Sequence, residues 1–390
     1  MINITNLEEC SGCGACKNIC PKKCIEMKYN EEGFLYPNIN KDICINCNRC
    51  SNICPINNKK IYITSKVIDS AIVCASKDKN IRKNSTSGGF FAVLAKKVIE
   101  EGGWVCGVIY DKEFLPKHII TNNINDLKNI CRSKYIQSNT ENIYNDVKEY
   151  LEKNQIVLFS GTPCQVAALK KFLNKDYENL LTCDVVCRGV ISAKLWKKHL
   201  LELKKRYNSD IEYIGFREKY SSFHKSRLVI YFKNGKKYFP STNIEAISRF
   251  FSLGISLRSS CYNCAFKGTK RDSDFTMFDC WNLSRLVDEV KDDDKGYTNV
   301  LLHTTKAMRW LVSIKKELFY WDIDLLKAKE YDGIMIEKSV KRPENRAAFF
   351  EDLNYCSIKM LIDKYAYISW YLRLRETIKN FLIKIKLYEY

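Results

Sequence analysis

From Ala71 onward the chain alternates short unbroken apolar runs with longer stretches whose apolar residues recur every three or four positions. Unbroken runs of this kind are buried strands, and the longer period is a helix with one wet face. "AIVCAS", starting at Ala71, reads as a strand. In "NSTSGGFFAVLAKKVIEEGGWVCGVIYD", Ser85, Thr86 and Ser87 stand as capping residues for a helix built on Phe90, Phe91, Val93, Leu94, Lys97 and Val98. Gly102 and Gly103 end that helix, and Trp104 to Tyr110 is the next strand. "QIVLFSGTPCQVAALKKFL" repeats the unit as strand Ile156 to Phe159, tight loop Ser160 to Gln165 and amphipathic helix Val166 to Leu173. "NLLTCDVVCRGV" is a strand that delivers Cys187 at its end, and "SAKLWKKHLLELKKRY" is a helix. "IEYIGFREK" and "RLVIYFKNGKKYFP" read as strands, the second carrying an Asn-Gly turn. Strands alternating with helices predict an α/β body. Residues 356–390 read as one or two basic amphipathic helices, expected to pack on that body, with docking to a membrane surface or a partner as the alternative.

Ahead of the body the pattern is set by cysteine. "CSGCGACKNICP" (Cys10 to Pro21) and "CINCNRCSNICP" (Cys44 to Pro55) are both C-x2-C-x2-C-x3-C-P. Three cysteines within seven residues wrap one corner of a cubic cluster, and in this pattern the fourth ligates the other cluster. The spacing therefore predicts two [4Fe–4S] clusters. Cys10, Cys13, Cys16 and Cys54 hold one, and Cys44, Cys47, Cys50 and Cys20 hold the other. Gly12 and Gly14 leave room for backbone N–H groups near cluster sulfur, and Ile19, Ile25, Ile43 and Ile53 are expected to shield the clusters from water. Structural zinc, which takes separated pairs of ligands, fits two triplets poorly. Cys24 has no counterpart in the second run and reads as a small buried residue.

The chain has 390 residues, 46% of them apolar, which is ordinary for a globular protein of two or three domains. Nineteen cysteines and no export signal at the start lead us to expect a reducing, cytoplasmic setting rather than a disulfide framework. The net charge of +19 is spread along the chain without a basic arm or a nucleic-acid motif. It suits flavin phosphates, an acidic redox partner or an anionic substrate, and no nucleic-acid partner is expected. The expected organisation is a two-cluster module at 1–58, a linker at 59–70, body segments at 71–150 and 151–325, and a helical extension at 326–390.

A third cysteine group lies in the body. Cys164 follows Gly-Thr-Pro at a helix start, where the helix dipole favours thiolate. Cys187 ends the next strand, and "SSCYNCAFKG" supplies Cys261 and Cys264. Together they make four ligands for an iron–sulfur cluster or zinc. Separately, they are core cysteines and a redox-active or zinc-bound pair. "SGGF" and "SGTPCQ" are small-residue loops before helices, able to hold phosphate on backbone N–H groups, yet neither is a dinucleotide fingerprint. The four histidines, His118, His199, His224 and His303, form no acid–base arrangement in sequence.

The chain resembles the coenzyme F-420 hydrogenase/dehydrogenase beta subunit family, in the bacterial form with a fused N-terminal two-cluster ferredoxin domain. The resemblance rests on the doubled cysteine run, "STSGGFFAVLA", "SKYIQS", "FSGTPCQVAALKKFL", "CDVVCRGVISAKLWKKHL", "GFREK" and "LRSSCYNCAFKGTKRDSDFTMFDCW". It runs from Cys10 to about Thr305. It implies an α+β/α/β architecture, with a small ferredoxin-like domain, a larger α/β flavin-binding body and a helical C-terminus. It also implies a third cluster on Cys164, Cys187, Cys261 and Cys264, beside a bound FAD. By this resemblance the chain passes electrons between clusters and flavin, and the flavin exchanges a hydride with an organic partner or a deazaflavin-like coenzyme. A redox partner protein, either a ferredoxin or a partner enzyme, completes the circuit. The flavin contacts expected are Ser87, Gly88 and Gly89, then Lys134, Tyr135 and Ser138, then Gly161, Thr162 and Gln165; Arg217 and Lys219 of "FREK" read either as cations for flavin or an anionic substrate or as a solvated charged turn. The competing reading is a flavin-free electron carrier that docks a partner enzyme. Two departures from the family stand out. Cys187-Arg188-Gly189 replaces the usual Cys-His-Gly, so no proton transfer carries over there, and Asp279-Cys280-Trp281 adds a thiol near the third group.

Overall fold

The computed structural model describes residues 5–57, 70–220 and 222–384. The expected linker lies almost wholly outside them.

Thirteen strands are formed among the described residues. A hairpin, β1 (Ile25–Tyr29) and β2 (Leu35–Ile39), accompanies the cysteine runs. The body is an eight-stranded mixed sheet made of β3 (Ser70–Ser76), β4 (Trp104–Tyr110), β5 (Pro116–Thr121), β6 (Val157–Gly161), β7 (Leu180–Val185), β11 (Phe275–Cys280), β12 (Tyr297–Leu302) and β13 (Leu318–Ile323). A separate antiparallel sheet holds β8 (Ile211–Glu218), β9 (Arg227–Phe232) and β10 (Lys237–Tyr238). The large sheet runs β13-β3-β12-β11-β7-β6-β4-β5. Its centre, β4, β6, β7 and β11, is parallel, and antiparallel pairs finish both sides.

The parallel strands are apolar on both faces because helices cover both. Along β6, Val157 and Phe159 pack with helices Ile143–Glu152 and Pro163–Leu173. Leu158 points the other way, into the layer that holds helices Phe90–Glu100 and Thr305–Ile314. Helix Pro163–Leu173 is buried from Gln165 to Leu173, so it is a core helix rather than the amphipathic one expected. Its sequence also starts it earlier: Pro163 opens it, and Thr162 with Gln165 forms a capping box. Ser85, Thr86 and Ser87 do not cap helix Phe90–Glu100. Gly89 holds that position in the left-handed region, with no side-chain cap.

Between β7 and β11 the chain makes a long excursion. It contains helix Ala193–Tyr207, the small sheet, helix Ala246–Leu253 and the Cys261–Cys264 loop. A second core forms there, from Trp196, Phe216, Phe232 and Phe250 with Phe349 and Leu361 of the C-terminal helices and Phe34 of the N-terminal hairpin. The C-terminal region is helical as expected, with Ile358–Tyr365 and Trp370–Lys384.

Candidate metal centres and cofactor cavity

The structure brings the N-terminal cysteines together in two groups. Cys10, Cys13, Cys16 and Cys54 are all buried and close enough to repel one another's negative charge. Cys20, Cys44, Cys47 and Cys50 line one small pocket. Cys24 is buried as expected, yet it lines the same pocket, with its sulfur 3.4 Å from that of Cys20. Of the four shielding isoleucines, Ile25 is buried, but Ile43 is 48% exposed and shields nothing. Ile39 lines the pocket with Ile25 instead.

The body holds this module by its backbone. Gln137 Nε2 donates to the Ser11 and Gly12 carbonyls at 2.8 and 3.1 Å. Thr140 Oγ1 and the Tyr144 hydroxyl both donate to the Cys13 carbonyl, at 3.1 and 2.7 Å. Arg258, fully buried, donates from Nε to the Cys10 carbonyl at 2.6 Å and from Nη1 to Gln137 Oε1 at 2.9 Å. These contacts, more than cluster access, require glycine at position 12. Its φ is +65°, and a Cβ would stand 2.4 Å from Gln137 Nε2 and 2.9 Å from Arg258 Nη1.

The third group forms at the carboxyl edge of the parallel strands, where open α/β sheets bind ligands. Cys164 follows β6 and Cys187 lies two residues beyond β7. The excursion brings Cys261 and Cys264 back to them. All four thiols line one cavity of about 540 Å³ and feel one another's charge. Burial and the neighbouring thiols push Cys187 up to about 12, and burial pushes Cys261 up to about 11. Cys164 is also pushed well up by burial, which outweighs the helix dipole expected to favour its thiolate. A metal that takes these sulfurs must displace protons. Cys280 is buried among Val73, Leu283 and Tyr297 and does not line the cavity, so it adds no ambiguity to the group. Among the described residues no three His, Cys, Asp or Glu side chains are gathered as they would be around a single ion.

Eight of the nine expected flavin contacts line this cavity: Ser87, Gly89, Lys134, Tyr135, Ser138, Gly161, Thr162 and Gln165. Gly88 does not. A Cβ there would meet the Cys74 carbonyl at 2.3 Å and the Thr298 nitrogen at 2.8 Å, so it is a close-packing position between β3 and β12. Several of the eight spend their polar atoms on the wall itself. Gln165 Oε1 accepts from Thr162 N at 3.0 Å and its Nε2 donates to Ser138 Oγ at 2.9 Å. Ser87 Oγ meets Thr298 Oγ1 at 2.9 Å. Lys134 Nζ donates to the Asn129 and Arg132 carbonyls, and burial lowers it to about 7. Tyr135 stacks on Phe251 with ring centres 4.6 Å apart.

Arg217 and Lys219 are not a solvated turn. Lys219 Nζ clamps the Arg82, Ser87 and Lys295 carbonyls. Arg217 lines the cavity, its backbone at φ 56°. It is held by Asp279 at 2.8 Å and Ser226 at 2.7 Å, with its guanidinium 4.6 Å from the Trp281 ring. Sequence reasoning missed Asp279 and Trp281 as its partners. It also missed Arg271, a cavity cation only 4% exposed that pairs with buried Asp184 at 3.7 Å. Burial raises Asp184 to about 6, against the pull of Arg271. Both arginines sit in quoted motifs, "GFREK" and "FKGTKRDSD", and that was the available signal. Arg188 bonds the Ser252 carbonyl at 2.7 Å, consistent with no proton-transfer role. His118, His199 and His303 are buried and His224 pairs with Asp292 at 2.9 Å; none lines the cavity.

These residues fit the implied groups on their own chemistry. Arg258 has only uncharged partners, its Nη2 has none, and it acts electrostatically on Cys261 while bonding the Cys10 carbonyl. A buried cation without a counterion suits anionic thiolate clusters on both sides. The cavity volume lies within the range of cofactor sites.

The doubled cysteine module on a mixed α/β body defines an iron–sulfur protein of the oxidoreductase type. Residues 154–321 match the family described as the C terminus of the coenzyme F420 hydrogenase/dehydrogenase beta subunit, and residues 9–58 match the 4Fe-4S dicluster domain. Residues 154–321 are thus similar to the C-terminal part of that beta subunit family, with a dicluster domain ahead of them. Among solved structures it is similar to a chain of the F420-reducing [NiFe] hydrogenase complex from Methanosarcina barkeri, studied by xenon derivatization. That likeness has 17% identity and a TM-score of 0.45, and it covers 75% of this chain and 94% of the other. No curated protein matches.

Proposed function

We propose that the chain is an iron–sulfur flavoprotein that links its cluster sites to FAD and, through it, to an organic hydride donor or acceptor. The observation that carries this reading is a shared wall. The four thiols Cys164, Cys187, Cys261 and Cys264 face the same cavity as eight of the nine flavin positions. Loaded clusters supply one-electron transfer, and bound FAD supplies exchange between single electrons and a hydride. The protein's part is to hold and insulate. Cys10, Cys13, Cys16 and Cys54 hold one cluster, Cys20, Cys44, Cys47 and Cys50 the second, and the cavity thiols the third. Tyr144 feels the charge of both Cys13 and Cys164 and fixes the Cys13 carbonyl. Arg217 and Arg271 provide fixed positive charge for an anionic ligand. Lys134 can hold or release a proton at Nζ near neutral pH, given its lowered value of about 7.

A redox partner protein, free or in a complex, and a cytoplasmic setting belong to the same reading, in keeping with nineteen free cysteines. The test is cofactor content after anaerobic purification. About twelve irons and one FAD per chain are expected. Cys164→Ser should lower iron by about four while the N-terminal module keeps its own. About eight irons without flavin in the wild type would leave an electron carrier and end the flavoprotein reading.

A further inference from the structure

The helix Trp370–Lys384 is mounted with an apolar stripe outward. At about 100° per residue, Trp370, Tyr371, Leu374, Ile378 and Phe381 fall within one sector. They are 72, 62, 49, 51 and 60% exposed. The opposite sector carries Glu376, which is 2% exposed. The side that carries Glu376 and Leu372 therefore packs on protein, and a continuous apolar stripe stands in solvent. The mounting is secured, since Arg373 bonds Asp363 at 2.5 Å and the Ile368 carbonyl at 3.2 Å. Arg249 holds the Ala366 and Tyr367 carbonyls just before the helix.

A contiguous exposed apolar stripe is an interaction surface, and its rim says with what. Arg373 and Arg375 lie on opposite flanks of the stripe, with side chains 41 and 55% exposed. The helix sequence holds four cations, Arg373, Arg375, Lys379 and Lys384, and one acid, Glu376. Trp370 and Tyr371 stand at one end, with Tyr367 (68% exposed) just before them. Apolar residues flanked by cations and headed by aromatic rings make a helix that lies in the headgroup plane of a bilayer. A second copy would bring two chains of charge +19 together, whereas an anionic surface attracts that charge. No helix among the described residues is long and apolar enough to cross a membrane, so the contact is peripheral. The geometry points to helix Trp370–Lys384 as an anionic-lipid docking element that holds the protein flat on a membrane surface.

The test is sedimentation of the full, cofactor-loaded chain with vesicles of equal phosphatidylglycerol and phosphatidylcholine, and with phosphatidylcholine alone. The chain should co-sediment with the anionic vesicles, stay free of the neutral ones and be released by high salt. Ile378→Glu with Phe381→Glu should cut partitioning at least tenfold at unchanged iron content. Arg375→Gln should cut it by about fivefold on anionic vesicles. The proposal is overturned if the wild type stays in the supernatant, or if the double glutamate variant binds like the wild type. It is equally overturned if light scattering finds a dimer that the glutamate variant dissociates while no vesicle binding occurs, because the stripe is then a self-association face.

Discussion

Replacing Arg258 with methionine keeps most of the side-chain volume and removes the charge. In the wild type its Nε and Nη1 make charge-assisted bonds to the Cys10 carbonyl and Gln137, at 2.6 and 2.9 Å. Each is worth about 1.5–3 kcal/mol. The guanidinium also stands 4.0 Å from the Tyr36 ring centre, worth about 1–2 kcal/mol at a desolvated site. Relief of the guanidinium's own desolvation offsets part of this. In the loaded protein proposed above, with an anionic cluster on each side, loss of the countercharge dominates, and the net cost is about 3–5 kcal/mol. Arg258→Lys keeps the charge and loses only the fork, so it should cost about 1–2 kcal/mol. The assays are iron release under chelator challenge and the cluster midpoint potentials followed by EPR. The methionine variant should lose iron faster and show lower potentials, and the lysine variant should keep wild-type potentials. If both variants match the wild type in iron retention and potential, the countercharge argument is wrong. If lysine fails as badly as methionine, the fork geometry matters and the charge does not.

Other outcomes follow from the same contacts. Burial pushes His118 and His303 down from the usual 6.5 to about 4, so the folded chain keeps them neutral. Between these values the unfolded chain binds protons that the folded chain refuses. Their stabilising effect is therefore complete above about pH 6.5 and is lost as the pH falls toward 4, by roughly 3 kcal/mol for each histidine. Denaturant titrations from pH 7 to 4.5 should show that slope, and His118→Phe, which can keep the stack on Phe159, should flatten it; an unchanged slope refutes the assignment. Gly88→Ala forces a Cβ against the Cys74 carbonyl and should cost about 1–3 kcal/mol of stability together with flavin content. Full stability and full flavin in that variant would show that the loop shifts freely.

The two N-terminal cysteine groups were legible because they are written in covalent spacing, whereas spacing left the third open, its four members lying on separate loops that only the fold brings to one cavity. Most of the loops that line the cavity were legible as motifs, but not their inner bonding. Lys134 turns to two carbonyls, and Gln165 closes a capping box. Arg258 was invisible because its partners lie 248 and 121 residues away. Gln137 lay unassigned inside "SKYIQS", between residues expected to touch flavin, because nothing in a hexapeptide says which side chain turns toward another module. The C-terminal helix was readable as amphipathic, yet periodicity gives the width of an apolar face and not the direction in which it is mounted.

The run from Gln137 to Asn145 touches both halves of the molecule. Gln137, Thr140 and Tyr144 hold the first cysteine loop by its carbonyls, Asn145 holds Asn18, and Ser138 lies in the cavity wall. The N-terminal module is thus not a detachable cassette. Excising it would orphan these donors and the Arg258 fork in one cut, and grafting it elsewhere would leave the Ser11, Gly12 and Cys13 carbonyls unclaimed. The two parts are bound by the same side chains, so that exchanging or engineering one requires carrying the contact residues of the other along with it.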